Sequence, residues 1–410
     1  MKDATRTWLV ITVISVLFLL SIWNLWQFRC SNLSYTLCAA IGQDLQALYQ
    51  AGENFNISNS MYGSIAEQHL FTTDYFPWKY LPILPILASP LVKFFSFNFF
   101  YFFYVASIQI LVLVLGLILI SKIGLTLKRE NWQIILAVGL YWIFWSTQSD
   151  WRMGQYNTLA GLFFLVSFWG VASQKKGFST FGWLASIISK PIFIFGFFYY
   201  LKKKNWQALI WFLVIVVMTL LYLEKFLPSG GLLEAYQASF GFLTDPSRIG
   251  WQVHYIDNFG PAALLGELFY DRFPNIYKSS IMVLTSIAVL VPITYLFTKE
   301  NRKKELYFFL LLALSPFIFY KEIWESLLAF LAPIAALVFL LSNTRREKIF
   351  TFLIWFFLAT PTLYFFWQNN QTATLTTALI AEKALPILVL YAYLVIKIFS
   401  KQTSLSENKR

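Results

Sequence analysis

Charge is scarce in this sequence: only 13% of its 410 residues are Asp, Glu, Lys or Arg. Apolar residues make up 58% and mean hydropathy is +0.61, a balance that no soluble domain of this length keeps in solution. Cysteine and histidine are scarcer still, with two of each. Cys30 and Cys38 fall in one loop, where they form either a short disulfide in an oxidising compartment or two free thiols. His69 and His254 stand alone, so no metal site is indicated. The chain also lacks a P-loop, a zinc-binding helix, a nucleophile elbow and a dinucleotide fingerprint, which leaves cytoplasmic nucleotide chemistry without support.

What is present is a succession of apolar runs near the length that spans the roughly 30 Å hydrocarbon core as a helix. Backbone groups in lipid must pair internally, so these runs are expected to be helical. Aromatic residues reach 20%, a share expected to fall mainly in interfacial belts and on lipid-facing surfaces. The first run, Trp8 to Phe28, is followed by no small-residue cleavage site and reads as a retained helix.

The net charge of +12 resembles a nucleic-acid signal until its positions are read. The cations sit in short clusters between apolar runs, including Lys122 with Lys128 and Arg129, Lys175 with Lys176, Lys202 to Lys204, and Lys299 with Arg302 to Lys304. Such clusters mark cytoplasmic loops, so no nucleic-acid partner is expected. One threading places them all inside. Its spans are 7–28, one net crossing within 80–121, then 131–147, 156–173, 205–227, 275–298, 305–320, 323–342, 347–367 and 376–399. Both termini are then cytoplasmic.

Two stretches resist that threading. Residues 178–201 lie between two basic clusters, are too short for two full spans and break at Lys190-Pro191; they read as a hairpin of half-length helices. Residues 80–96 carry Pro82, Pro85 and Pro90 and read as a short, re-entrant or interfacial segment. The expected fold is thus all-α, a polytopic bundle of about 10–12 transmembrane helices. The whole chain, 1–410, reads as one integral membrane domain, with a core to 345, C-terminal helices over 346–400 and a cytoplasmic tail over 401–410. Three segments face outside: 29–79, 148–156 and 228–274. Polar groups distant in sequence thereby gather on one face, the way a membrane-surface site is built.

Several motifs follow one another in a particular order. GQDLQALYQAGENF at 42–55 and MYG at 61–63 precede DYFPWKYLPILPILASPL at 74–91. RMGQYNTLAGLFFLVSFW at 152–169 leads to GWLASIISKPIFIFGFFYYLKKKNW at 182–206, and LSPFIFYKEIWESLLAFLAP comes at 314–333. Over residues 7–340 this order resembles glycosyltransferase family 87, bacterial polyprenol-phosphate-mannose-dependent mannosyltransferases of the GT-C superfamily. Two positions depart from that pattern. Lys321-Glu322 stands where the family tends to have His, and Tyr75-Phe76-Pro77 stands for Tyr-Pro-Pro.

The resemblance implies a GT-C bundle with a non-cytoplasmic first loop and a catalytic Asp or Glu in that loop, here Asp44. It implies an inverting transfer of a hexose, mannose by family type, from a polyprenyl-phosphate donor to a glycolipid or envelope glycan acceptor. It places the multi-pass enzyme in a bacterial inner membrane, with membrane lipid as surroundings and no cofactor beyond the lipid-linked donor. A requirement for a divalent ion is left open. By residue chemistry alone Asp44 is either a solvated loop carboxylate or a base for the acceptor hydroxyl. Lys190, inside an apolar stretch, either snorkels, pairs or faces a phosphate. Lys321 either holds the lipid phosphate or pairs with Glu322 or Glu325. Gln155 and Asn157 suit sugar hydroxyls or loop capping, Tyr75 and Asn258 are further polar contacts, and Arg152 either joins them or pairs with Asp150 on the surface. Two rival readings remain. A lipid-linked oligosaccharide flippase would carry inverted repeats and charges along a path, and an envelope glycan polymerase or ligase would place its large loop late.

Overall fold

The computed structural model describes Trp8, Thr12 and residues 43–57, 83–226, 258–299, 301–320, 323–360 and 373–400. The span at 7–28, the Cys30/Cys38 pair, both histidines, Tyr75, Lys321 and most of the 228–274 segment lie outside these. Within them the chain is all-helical and contains no strand. A lone antiparallel bridge joins Asn258 to Trp324.

The segment read as the first outer loop is not irregular throughout. Gln43–Asn56 forms α1, which packs on α2 (Ile83–Phe94). Alternation of Leu45, Leu48, Tyr49 and Ala51 with polar residues gives α1 one apolar face, and these four are buried. Next comes a continuous helical rod, α3 (Phe97–Phe103), a π turn (Tyr104–Gln109) and α4 (Ile110–Thr126).

The single span expected at 131–147 is instead two helices. α5 (Asn131–Trp142) ends at Ile143, Phe144 is extended, and α6 (Trp145–Met153) carries the chain through the segment read as an outer loop. At 12 residues α5 is about 18 Å long, short of the hydrocarbon core.

Among the described residues α7 (Asn157–Ala172) and α8 (Lys176–Ser189) make the most extensive helix pair. Their backbones approach closely because glycine sits at the crossing. A Cβ on Gly182 would lie 2.3 Å from the Ser167 nitrogen, and one on Gly170 2.2 Å from that of Ser179.

The expected break at Lys190-Pro191 is there. Lys190 is extended (φ −160°, ψ 129°), a 3₁₀ turn covers Pro191–Phe195, and α9 (Gly196–Lys202) follows. The unit returns on itself: Asn205 Nδ2 reaches Thr180 Oγ1 at 3.3 Å, and Trp183 stacks on Tyr200 with centroids 4.3 Å apart. The two basic clusters therefore sit at one end of the hairpin, and Lys190 is at its tip.

The remaining helices are α10 (Trp206–Phe226), α11 (Pro261–Phe269), α12 (Pro274–Leu296), α13 (Arg302–Phe319), α14 (Leu331–Leu341), α15 (Arg345–Ala359) and α16 (Ala373–Phe399). A 3₁₀ turn, Glu325–Phe330, precedes α14. α13 is buried almost all round from Glu305 to Ile318, and every residue of α14 is buried. Apolar residues on every face suit that central position, since no side has to meet water.

Many aromatic residues expected at the periphery build this core instead. Phe164 packs against Phe193, Phe309 and Phe330 with centroids 5.1 to 5.9 Å apart, and Trp183 is fully buried. Others, such as Phe94, Phe181 and Trp206, are exposed as expected. Among the described residues three helical stretches are long and apolar enough to cross a membrane: Ser107–Thr126, Pro274–Leu296 and Thr377–Phe399.

Candidate active site

The cluster begins at Asp44, in the first turn of α1. Backbone N–H groups there lack intrahelical acceptors and the helix dipole favours a negative charge. Facing it is the Gly154-Gln155-Tyr156-Asn157 turn between α6 and α7. Gly154 is left-handed (φ 67°, ψ 33°) and terminates α6. A Cβ on Gly154 would lie 2.6 Å from Leu45 Cβ, so the glycine also lets α1 sit close. Gly154→Ala is therefore expected to strain the turn by about 1–2 kcal/mol and to push α1 away, lowering both melting temperature and activity. An unchanged melting temperature in detergent would show that the turn tolerates a side chain.

Gln155 joins the two formal charges of the cluster. Its Nε2 donates to Asp44 Oδ2 at 2.5 Å, and its Oε1 accepts from Lys190 Nζ at 2.7 Å. Each contact fixes the orientation of the carboxamide, because a carboxylate only accepts and an ammonium only donates. The Tyr156 hydroxyl donates to the Asp44 carbonyl at 3.0 Å. Three sequence-derived residues, Asp44, Gln155 and Lys190, thus meet although they lie on α1, the α6–α7 turn and the hairpin tip.

The backbone of Gln155 is held from the π turn. Tyr104 Oη and Gln109 Nε2 both donate to the Gln155 carbonyl, at 2.7 and 3.1 Å. The wider π turn places residues five apart on one side of the rod, a bulge frequent at functional sites. Neither residue stands out in the sequence. The one signal there is Gln109 as an amide inside an apolar run, which needs partners when buried.

Asn157 belongs to a second, adjoining network. Asp150 is fully buried and accepts from the Asn157 and Thr158 N–H groups at 3.2 and 3.0 Å, capping α7, and from Asn157 Nδ2 at 2.7 Å. The surface pairing of Asp150 with Arg152 is therefore corrected, because Asp150 is an internal cap and not a surface group. The Arg152 side chain itself is not among those described. Asp150 falls in the 148–156 segment that hydropathy places outside the spans. Burial pushes its pKa up to about 6, opposed by the Thr158 and Asn157 hydrogen bonds and the Lys190 charge.

Asp150→Asn is expected to cost about 1–3 kcal/mol, because an amide nitrogen would face donors already converging there. A melting temperature within a degree of the parent would refute the capping role. Asn157 Nδ2 also donates to the Ser326 carbonyl at 3.0 Å. The Asn157 Oδ1 and Ser326 Oγ atoms stay buried without a partner among the described residues, as do several other polar atoms of the core, including the Tyr277 hydroxyl.

Asn258 stands apart from the Asp44–Gln155–Lys190 link. Its Oδ1 accepts from the Ile323 N–H at 2.9 Å, and Phe259 N–H donates to the Ile323 carbonyl at 2.8 Å. Asn258 thus anchors the segment that delivers Ser326. Lys321 and Tyr75 fall outside the described residues. Among those described, no group of three or more His, Cys, Asp or Glu residues is placed to hold a metal ion.

These features define an all-helical membrane protein with a buried polar cluster between helix ends. Comparison with protein-family models, curated proteins and solved structures finds no match to this chain.

Proposed function

We propose that this chain is a multi-pass membrane glycosyltransferase of GT-C type. It transfers a hexose, mannose by the family resemblance, from a polyprenyl-phosphate donor to a lipid-linked or envelope glycan acceptor. The observation that carries the reading is the Asp44–Gln155–Lys190 link. It sets the half-buried Asp44 carboxylate and the buried Lys190 ammonium, a charge costly to bury alone, on opposite ends of one carboxamide.

In this reading Asp44 accepts the proton of the acceptor hydroxyl as that oxygen attacks the anomeric carbon. The bond from that carbon to the phosphate oxygen breaks from the opposite face, so configuration inverts. The electron pair leaves with polyprenyl phosphate, whose charge Lys190 meets, with Lys321 as a second cation. Gln155 holds the base in place, and Asn157 contributes to acceptor or sugar binding. The donor logic is physical: a lipid-linked sugar is available on the non-cytoplasmic face, whereas nucleotide-sugars are cytosolic.

The test is the full chain reconstituted in vesicles and given polyprenyl-phosphate-hexose or nucleotide-hexose separately. Transfer is expected from the lipid-linked donor alone. Transfer from the nucleotide-hexose without a lipid intermediate would overturn the donor class and the GT-C reading together.

A further inference from the structure

A cavity of about 310 Å³ opens between α8 and α10, lined by Lys176, Thr180, Phe181, Asn205, Gln207 and Trp211 among others. It lies at the basic end of the hairpin. α8 has 14 residues, so about 20 Å of helix separates Lys176 from Lys190 and from the Asp44 cluster. The cavity is thus distinct from the site proposed above and does not depend on that function.

The five lysines at this end are not equivalent. Lys202 donates to the carbonyls of Tyr295, Leu296 and Thr298, Lys203 pairs with Glu305 at 3.0 Å, and Lys175 lies 4.7 Å from the Trp169 ring centre. Those three are engaged by the protein itself. Lys176 and Lys204 are exposed, and neither meets a carboxylate among the described residues. No acidic residue lines the cavity, whereas the amides of Asn205 and Gln207 do. The polar end is therefore cationic and rich in donors.

Below it the surface turns apolar. Phe181, Trp211, Ile210 and Leu213 are each more than half exposed, and α10 continues as an apolar helix. An amphiphile with an anionic head and hydrocarbon tails matches both halves, whereas a soluble anion matches only the first. Basic pockets beside apolar helix faces are the usual form of such recognition. Trp206 and Trp211 are amphipathic rings of the kind that settle at headgroup depth.

We propose that this cavity binds the phosphate headgroup of an anionic glycerophospholipid, with its acyl chains along α10. Lys176 is the principal contact, and Asn205 and Gln207 are hydrogen-bond donors to the phosphate.

The experiment titrates the detergent-solubilised full chain with dioleoyl-phosphatidylglycerol, dioleoyl-phosphatidylcholine or inorganic phosphate and reads the melting temperature. Phosphatidylglycerol is expected to raise it in a saturable way, and the other two are not. Lys176→Gln is expected to weaken the apparent affinity about fivefold. Lys278→Gln, which removes an equal charge from an exposed position near the start of α12, far from the end that meets Lys202, is expected to leave the affinity unchanged. Lys176 is exposed, so its replacement carries little risk to folding. An equal response to phosphatidylcholine would overturn the proposal, as would full reproduction by phosphate alone. So would an unaltered phosphatidylglycerol response in Lys176→Gln, or an equal loss in Lys278→Gln.

Discussion

Asp44→Asn is expected to lower turnover at saturating donor and acceptor by at least about 10²-fold, with the protein still folded and inserted. An amide keeps the shape of the carboxyl and can turn its oxygen toward Gln155 Nε2, so the 2.5 Å contact has a substitute. The Tyr156 bond goes to the backbone carbonyl of residue 44 and survives any change of side chain. What the amide cannot do is accept a proton at neutral pH. The measurement is initial rate on the reconstituted chain, paired with its melting temperature. Near-normal turnover would remove Asp44 from the base role, and a collapsed melting temperature would make it a structural residue.

Lys190→Met is expected to raise the donor KM about thirtyfold, equivalent to about 2 kcal/mol, with a smaller effect on the acceptor. Met keeps an unbranched apolar stem one atom shorter than lysine but removes the charge that would face a phosphate. It also leaves Gln155 Oε1 without the 2.7 Å donor, so some loss of Asp44 positioning is expected in kcat. A solely structural lysine would behave otherwise. Donor and acceptor constants would then shift together, in step with the melting temperature.

Both expectations rest on residues that are distinctive in the amino-acid sequence, although nothing in the sequence brings them together. Asp44 is legible as a carboxylate just beyond the first apolar run, and Lys190 as a cation against a helix-breaking proline. Gln155 and Asn157 are visible as amides beside Gly154. The roles of Tyr104, Gln109, Asp150 and Ser326 are not legible in this way. Each acts through a partner remote in sequence or through the turn that holds it, and a π turn leaves no mark in hydropathy because tertiary contacts select it. The broken span at 131–147 has a similar origin. The stretch from Ile134 to Trp145 is apolar, so its composition continues across Ile143 and Phe144 while the backbone does not.

By itself the sequence determined that the chain is helical and apolar, where cationic clusters interrupt it, and that the hairpin breaks at Lys190-Pro191. These follow from local chemistry: transfer free energy accumulates along a run, and proline removes a donor wherever it stands. Tertiary structure alone decided that α13 and α14 are the buried centre, that Asp150 caps α7, and that one carboxamide joins Asp44 to Lys190. Hydropathy cannot separate a helix buried in protein from one bathed in lipid, because both surroundings are apolar. Nor does it encode which distant backbones approach within hydrogen-bonding range, since that depends on side-chain volume at the crossings, where Gly154, Gly170 and Gly182 let the helices close.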